Sequence, residues 1–134
     1  MKNTRILVVE DNKINQLVVA KLLMNIGADV ETVDNGQKAV DIVGKEHFDL
    51  ILMDIQMPIM DGYKATAEIR NMKDPQKANI PIIALTASAF LSETEKAKLF
   101  GMNDHVGKPF GPDDLLEKIY ACMDLLQPKS PTKV

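Results

Sequence analysis

The sequence predicts an α/β domain in which a parallel sheet is covered by helices on both faces. Short runs rich in Val, Ile and Leu alternate with longer segments in which apolar residues recur every three or four positions. This alternation is typical of parallel sheets, because each crossover helix packs on one face of the sheet. The predicted strands are 5–9, 29–33, 50–53, 81–85 and 103–107.

Punctuating residues set the predicted boundaries in the first half of the chain. The first helix covers 12–26 and ends at Gly27, because glycine readily adopts the left-handed conformation of a helix C-cap. Asn35 and Gly36 form a turn before a second helix over 37–46. We expect the first helix to bury the stripe formed by Ile14, Val18, Leu22 and Ile26.

The second half of the chain repeats the same strand and helix unit. A polar loop is predicted through Asp74 and Pro75, and Gly101 is predicted to stop the helix before it. The segment 127–134 is polar and rich in Pro, which predicts a disordered tail or linker after a single domain at 1–126. The predicted helices are 62–72, 88–100 and 113–126.

The composition is that of one globular domain without a membrane segment. The 134 residues are 46% hydrophobic and 26% charged, with a net charge of −3. Lys and Arg form no stripe, and no apolar stretch approaches the roughly 20 residues of a membrane span. We therefore expect a cytoplasmic domain that contacts neither nucleic acid nor membrane. Cys122 is the only cysteine, which excludes an internal disulfide and a Cys-rich metal site.

Polar side chains follow four of the predicted strands. Glu10 and Asp11 follow the first strand, Asp54 the third, Thr86 the fourth and Lys108 the fifth. The carboxyl ends of parallel strands meet at one edge of the sheet, where open α/β folds bind their ligands. We therefore expect an acidic cluster there, with a hydroxyl and an ammonium group beside it.

Three neighbouring carboxylates repel one another, by roughly 3 kcal/mol for a pair about 5 Å apart. Such a cluster persists if one acid stays protonated, if a cation binds, or if Lys108 screens the charges. Oxygen ligands without His or Cys favour Mg²⁺, with Asp11 and Asp54 as ligands and Glu10 bound directly or through water. A carboxylate beside such an ion can form an aspartyl phosphate, with Lys108 and the Thr86 hydroxyl stabilising the transferred oxygens.

The motifs at these strand ends resemble the receiver domains of two-component response regulators. They are Val-Val-Glu10-Asp11-Asn, Leu-Met-Asp54-Ile-Gln-Met-Pro58 with Asp61-Gly62 after it, Ala-Leu-Thr86-Ala and Gly-Lys108-Pro-Phe. The resemblance extends over residues 4 to 126. The segments Glu-Asp-Asn-Lys-Ile-Asn-Gln16 and Met-Asp-Ile-Gln-Met-Pro58 are similar in particular to receivers of hybrid sensor histidine kinases.

The resemblance implies a flavodoxin-like, doubly wound (βα)5 fold with a five-stranded sheet of order 2-1-3-4-5. It also implies a phosphoacceptor function in two-component or phosphorelay signalling. Asp54 would take a phosphoryl group from the phosphohistidine of a histidine kinase or histidine-phosphotransfer domain, with Thr86 and Lys108 assisting. The implied ligands of Mg²⁺, or of Mn²⁺ in its place, are Glu10, Asp11, Asp54 and the backbone carbonyl of Gln56.

The resemblance also implies that phosphorylation changes the conformation of a surface that binds a downstream protein. The implied surface consists of the predicted helix at 88–100, the fifth strand and the last helix, with Thr86 as the residue drawn toward the phosphoryl group. His105 stands where the family usually has Tyr or Phe, so its part in the switch is open. Glu10 stands where an Asp is usual, and it could reach either the metal or Lys108. The resemblance also favours a cis peptide bond between Lys108 and Pro109.

Several functions are compatible with the predicted fold and site. The chain is either part of a hybrid histidine kinase or a stand-alone regulator, and as a lone domain it would catalyse only its own phosphorylation and dephosphorylation. An aspartyl-nucleophile phosphatase is a more distant alternative, because it would need an acid two residues after Asp54, where the sequence has Gln56. A flavodoxin-like cofactor binder is disfavoured by Glu10 and Asp11, which would repel a ligand phosphate.

Overall fold

Five parallel strands form one sheet in the order β2-β1-β3-β4-β5. The structure is a computed structural model that describes residues 3–86, 100–108 and 111–126, and the features reported below belong to these residues. The strand order is the one predicted, so the doubly wound fold is confirmed. The strands are β1 (Arg5–Val9), β2 (Asp29–Val33), β3 (Leu50–Asp54), β4 (Ile82–Thr86) and β5 (Asp104–Gly107).

The helices between these strands begin at polar side chains that accept backbone hydrogen bonds. Asn12, Asn35, Asp61 and Asp74 each accept an N–H from the first turn of the helix that follows. Such caps satisfy donors that have no partner within the helix, so they fix where each helix starts. The described helices are α1 (Lys13–Asn25), α2 (Gly36–Lys45), α3 (Gly62–Arg70), α4 (Pro75–Ala78) and α5 (Pro112–Leu126).

Two apolar cores lie on opposite faces of the sheet in the described part of the chain. Along β1, Leu7 and Val9 belong to the core shared with α2 and α3, whereas Ile6 and Val8 belong to the core shared with α1 and α5. Alternate residues of a strand point to opposite faces, so this division shows that helices cover both sides. Cys122 is buried in the second core, and burial raises the pKa of its thiol, as expected for a packed cysteine.

The prediction that Ile14 and Val18 are buried on the first helix is wrong. Ile14 and Val18 are 73% and 61% exposed, while Val19, Ala20 and Leu23 are buried. Apolar residues surround most of α1, so a period of 3.6 residues fits more than one stripe, and packing against β1 and β2 selects another face. Leu22 and Ile26, the other members of the predicted stripe, are partly buried against the second core.

The other differences concern the second half of the chain. The predicted loop after the third helix contains the short helix α4, which Asp74 caps and which has Pro75 in its first turn. Most of the predicted helix at 88–100, the bond to Pro109 and the tail at 127–134 lie outside the described residues. Gly101 has a φ of +97°, the conformation expected of a helix stop. Within the described ranges, no helix combines the length and the apolar character needed to cross a membrane.

Candidate functional site

The carboxyl edge of the sheet brings together the charged side chains that follow β1, β3 and β5. The Lys108 ammonium nitrogen lies 2.7 Å from Glu10 Oε1 and 3.3 Å from Asp54 Oδ1. Glu10 and Asp54 are 1% and 5% exposed, so this ion pair is shielded from water on most sides. The register explains the meeting, because Val9 pairs with Met53 and Asp54 pairs with Leu85, which aligns the strand ends.

The loop between β1 and α1 is held by backbone and amide hydrogen bonds. The Glu10 N–H donates to the Val33 carbonyl at 3.1 Å, which extends the pairing of β1 with β2 by one residue. The Gln16 side-chain amide donates to the carbonyls of both Glu10 and Val33. Asn12 donates its N–H to Glu10 Oε2 at 3.2 Å. The sequence shows Gln16 only as part of a motif, and its position one turn into α1 is the local signal for this role.

The loop between β3 and α3 is also held by backbone hydrogen bonds. The Gly62 N–H donates to the Ile55 carbonyl at 2.8 Å, and the Ile55 N–H donates to the Leu85 carbonyl at 3.3 Å. A side chain at Gly62 would overlap the carbonyl oxygen of Asp54, so only glycine allows α3 to start this close to the strand end. The position of the Asp54 carboxylate therefore depends on Gly62.

Three carboxylates in this site could share one cation. Glu10, Asp11 and Asp54 each offer an oxygen, and these oxygens lie within 4.8 Å of one another. Asp11 is exposed while the other two are buried, which leaves one side of the cluster open to solvent. An all-oxygen set with an open side fits Mg²⁺, which binds through one or two carboxylates and retains waters. Gln56 lies in the loop two residues after Asp54, with its side chain exposed.

Burial and neighbouring groups shift the pKa values of Asp54, Glu10 and Lys108. Burial, together with the neighbouring Glu10, raises the pKa of Asp54 to about 7. Burial also acts to raise the pKa of Glu10, but hydrogen bonds to Lys108, Asp54 and the Asn12 N–H outweigh it and hold this pKa below its usual value. Burial acts to lower the pKa of Lys108, and the two acids outweigh it and raise this pKa. Without a cation, the cluster therefore tends to keep a proton on Asp54.

Thr86 and His105 lie on the neighbouring strands β4 and β5. Thr86 is buried at the end of β4, and its carbonyl accepts the Lys108 N–H at 2.6 Å. His105 is partly buried and pairs in register with Ala84. Val106 packs in the core shared with α1 and α5, so alternation puts His105 on the opposite face, which is also the face of Ala84 and Thr86. The two candidate switch residues therefore share one face of the sheet.

Comparison with known families identifies this arrangement. The model of the family described as response regulator receiver domain matches residues 6–120. The chain belongs to this family.

The curated relatives include hybrid kinases, as the resemblance of the two longer motifs predicted. Sensor protein GacS of Pseudomonas syringae pv. syringae is 42% identical over 116 residues, which cover 86% of this chain and 13% of that protein. Hybrid signal transduction histidine kinase I of Dictyostelium discoideum is 40% identical over 120 residues, or 86% of this chain and 7% of the kinase. The receiver thus spans only a small part of these relatives.

Solved receiver structures share the fold over most of their length. The receiver domain of sensor histidine kinase PA1611 from Pseudomonas aeruginosa PAO1, which has a magnesium ion coordinated in its active site cleft, is 39% identical. The match has a TM-score of 0.83 and covers 90% of this chain and 98% of that one. A co-crystal structure of Saccharomyces cerevisiae Ypd1, a histidine phosphotransfer protein, with the receiver domain of Ssk1 matches with a TM-score of 0.88, 32% identity and coverage of 97% and 95%.

Proposed function

We propose that Asp54 of this receiver accepts a phosphoryl group from the phosphohistidine of a partner protein, with Mg²⁺ or Mn²⁺ as cofactor. The observation that carries the proposal is the position of the Asp54 carboxylate, 3.3 Å from the Lys108 ammonium and in one cluster with two further carboxylates. A buried acid surrounded in this way combines a nucleophile, a cation site and a fixed positive charge. The proposal includes the cytoplasmic location predicted from the sequence.

In the transfer step, a carboxylate oxygen of Asp54 attacks the phosphorus of the donor. The new O–P bond forms as the P–N bond breaks, and the electron pair of the broken bond stays on the imidazole nitrogen, which takes up a proton from solvent. Lys108 stabilises negative charge on one phosphoryl oxygen, and the Thr86 hydroxyl donates to another. Mg²⁺ would be held by Glu10, Asp11, Asp54 and the Gln56 carbonyl, and its charge would stabilise the third phosphoryl oxygen.

Asp54 must be ionised to attack, whereas burial and Glu10 raise its pKa to about 7. Binding of a divalent cation favours the ionised carboxylate, because opposite charge stabilises that form. The Glu10 to Lys108 ion pair of 2.7 Å competes for the same lysine that the phosphoryl group needs. Glu10 therefore holds Lys108 beside Asp54 until the phosphoryl group arrives.

A signalling module is favoured over a phosphatase. The phosphatase reading needs a general acid two residues after the nucleophile, and the residue there is the exposed amide Gln56. Without that acid the acyl phosphate persists long enough to act as a signal. The domain would then perform only its own phosphorylation and dephosphorylation, rather than turn over a separate substrate.

The phosphodonor is proposed to be a histidine kinase or a histidine-phosphotransfer domain. The similarity to receivers of hybrid kinases and to the receiver bound by Ypd1 supports this class of donor. The same similarity supports an origin within a hybrid histidine kinase, since the chain corresponds to only 13% of GacS and 7% of the Dictyostelium discoideum kinase. A stand-alone regulator would have the same site and donor class.

The simplest test uses acetyl phosphate, a small donor that needs no docking surface. Incubation with Mg²⁺ should add the mass of one phosphoryl group to the intact protein, and hydroxylamine should remove it because it cleaves acyl phosphates. Asp54→Asn should block the labelling. Asp61→Asn is the matched control, because Asp61 lies in the same loop but caps α3 instead of joining the cluster. Labelling that survives in Asp54→Asn would refute the proposed acceptor.

The output of phosphorylation is proposed to be a change in the predicted helix at 88–100, β5 and α5, which would then bind a downstream protein. Thr86 ends β4, His105 lies in β5, and both are on one face of the sheet, which supports their role as switch residues. The backbone amide chemical shifts of residues 87 to 106 should change on phosphorylation, together with those of the site. Shifts restricted to the site residues would argue against this switch.

A further inference from the structure

Gln16 reaches back from the first turn of α1 to the ends of two strands. Its side-chain amide nitrogen lies 3.1 Å from the Glu10 carbonyl oxygen and 3.2 Å from the Val33 carbonyl oxygen. Val9 and Val33 form the last pair in the register of β1 with β2, and the Glu10 N–H donates to the Val33 carbonyl just beyond it. The amide of Gln16 therefore joins the two strands at the point where regular pairing stops.

This contact uses both N–H groups of the glutamine amide. A primary amide has two donors, and two carbonyl oxygens lie within hydrogen-bond distance of its nitrogen. Glu10 is buried, so water has little access to replace a lost donor beside it. An apolar side chain of the same length would leave both carbonyls without this donor, and asparagine is one methylene shorter. The contact thus depends on the amide and on the length of glutamine.

Gln16 holds the residues on both sides of Asp11. Its backbone N–H donates to the Asn12 carbonyl at 2.9 Å, and its side chain donates to the Glu10 carbonyl. Asp11 itself is exposed, so the direction of its carboxylate depends on the backbone that these two contacts fix. The Glu10 carboxylate differs, because it accepts hydrogen bonds from Lys108 and from the Asn12 N–H. Asp11 is therefore the acid whose position depends most on Gln16.

The position of Asp11 matters for the cation site. Oxygens of Glu10, Asp11 and Asp54 lie within 4.8 Å of one another. Mg²⁺ requires nearly octahedral ligands at about 2.0 to 2.1 Å, so it tolerates little displacement of a carboxylate. Hydrogen bonds behind the ligands set their orientation, and loss of such a bond typically lowers metal affinity by about 10- to 100-fold. The Gln16 amide acts behind Asp11 in this sense, through the peptide group between Glu10 and Asp11.

We propose that Gln16 is a positioning residue that sets the affinity of the site for Mg²⁺, a role that rests on the proposed function. The hydrogen bonds of its amide end on backbone carbonyls rather than on Asp54 or Lys108. Gln16 holds the peptide group before Asp11, and Asp11 in turn presents its carboxylate to the cation. Gln16 therefore controls how readily the cation binds and leaves the reactivity of Asp54 in the loaded site unchanged.

The test measures Mg²⁺ binding directly, in the absence of any phosphodonor. In Gln16→Met, which keeps the length of the side chain and removes its donors, the dissociation constant from an NMR titration with MgCl₂ should rise about tenfold. In acetyl phosphate labelling, the Mg²⁺ concentration for half-maximal rate should rise by a similar factor. The rate at saturating Mg²⁺ should stay within about twofold, because Asp54, Thr86 and Lys108 are unchanged. The dispersion of the same NMR spectra shows that the variant is folded.

Two further variants separate this role from general stability. Gln37→Met makes the same substitution in the first turn of α2, where the Gln37 amide donates to Asp41 at 3.1 Å on the exposed surface, and it should bind Mg²⁺ as the wild type does. Gln16→Asn keeps the amide but shortens the side chain, so it should lose affinity as Gln16→Met does. In the metal-free protein, the carbonyl carbon resonances of Glu10 and Val33 should shift in both Gln16 variants and stay in place in Gln37→Met.

Each failure has a separate meaning. Absence of acetyl phosphate labelling in a wild type that binds Mg²⁺ overturns the phosphoacceptor function itself. Labelling of the wild type, combined with equal Mg²⁺ affinities for wild type and Gln16→Met, overturns only the positioning role. That role is also overturned if the rate at saturating Mg²⁺ falls as far as the affinity does, because the substitution would then act on the reaction rather than on cation binding. Full affinity in Gln16→Asn would contradict the bridge between the two carbonyls.

Discussion

Gly62→Ala is expected to lower the free energy of unfolding by about 3 kcal/mol or more and to slow phosphorylation by acetyl phosphate. The added Cβ would overlap the Asp54 carbonyl oxygen and lie 3.0 Å from the Ile55 Cα. Both contacts are with backbone, which cannot rotate away as the end of a flexible side chain can. Either the start of α3 must move out or the end of β3 must shift.

The two ways of relieving this clash have different consequences for the site. Movement of α3 would lengthen the 2.8 Å hydrogen bond from Gly62 to the Ile55 carbonyl. A shift of β3 would displace the Asp54 carboxylate from Lys108, now 3.3 Å away. Urea denaturation gives the stability, and the rate of mass gain with acetyl phosphate reports the position of the acceptor. A variant that is destabilised but labelled at the wild-type rate would mean that α3 alone had moved.

Gly44→Ala is the matched control for this substitution. A Cβ built at Gly44, in the helix α2, meets no described atom within 4 Å apart from its chain neighbours and the backbone of its own helix. Alanine should stabilise this position by about 0.5 to 1 kcal/mol, because it restricts the unfolded chain and favours the helix. If the two variants changed stability by similar amounts, the close contact between α3 and the acceptor strand would be contradicted.

The sequence predicts those parts of the fold that local patterns specify. The strands appear as apolar runs because both faces of a parallel sheet are buried, and the acids appear at their ends because strand direction puts those ends on one edge. The strand order came from the family resemblance rather than from periodicity. The caps at Asn35 and Asp61 also follow from local chemistry, since such residues precede helices.

The remaining features depend on contacts between distant segments. The buried face of α1 could not be chosen from its own pattern, because Ile14 and Leu23 are equally apolar and only packing separates them. Arg70 donates to carbonyls of Ala78, Ile80 and Gly101, the last 31 residues away, and no local signal distinguishes it from a surface arginine. The positive φ of Ile59 is likewise imposed by the tertiary structure against the local preference.

The site shows the same division between local and distant causes. The sequence predicts that the acids crowd together, but it does not decide whether a proton, a cation or Lys108 makes this possible. In the structure Lys108 pairs with Glu10 at 2.7 Å, and burial together with Glu10 raises the pKa of Asp54 to about 7, so Asp54 is the acid that keeps a proton most readily. This distribution depends on which acid is nearer to the lysine, a distance that no sequence pattern encodes.

Asp54→Asn is expected to stabilise the metal-free protein by about 2 kcal/mol at pH 8 and to have little effect at pH 4. The pKa of Asp54 is raised from 3.8 to about 7 by burial and by Glu10. Between these values the folded protein holds a proton that the unfolded chain has released. Each rise of one pH unit in this range therefore lowers the free energy of unfolding, by at most about 1.4 kcal/mol.

The loss begins near pH 4 and is complete above about pH 7, and the full shift sets an upper limit of about 4 kcal/mol. We expect about half of this limit, because the charged site relaxes toward Lys108 and solvent. Asparagine stays neutral at every pH and can donate the hydrogen bond to Glu10 that the protonated acid donates. Glu10, whose pKa is lowered, adds stability as the pH rises through and above its depressed pKa toward 4.5, so it does not account for a loss between pH 5 and 8.

Urea denaturation at intervals from pH 4 to 8 measures this difference, with Asp11→Asn as the control. Asp11 is exposed and is not among the groups that shift Asp54, so this variant should keep the wild-type fall in stability. Saturating Mg²⁺ should stabilise the wild type most at high pH, where the cation replaces the proton, and should flatten its profile. The same Mg²⁺ should give Asp54→Asn a smaller gain, since one charged ligand is missing. A wild-type profile that rises between pH 5 and 8 without metal would show that Asp54 is ionised throughout, and that Lys108 alone neutralises the cluster.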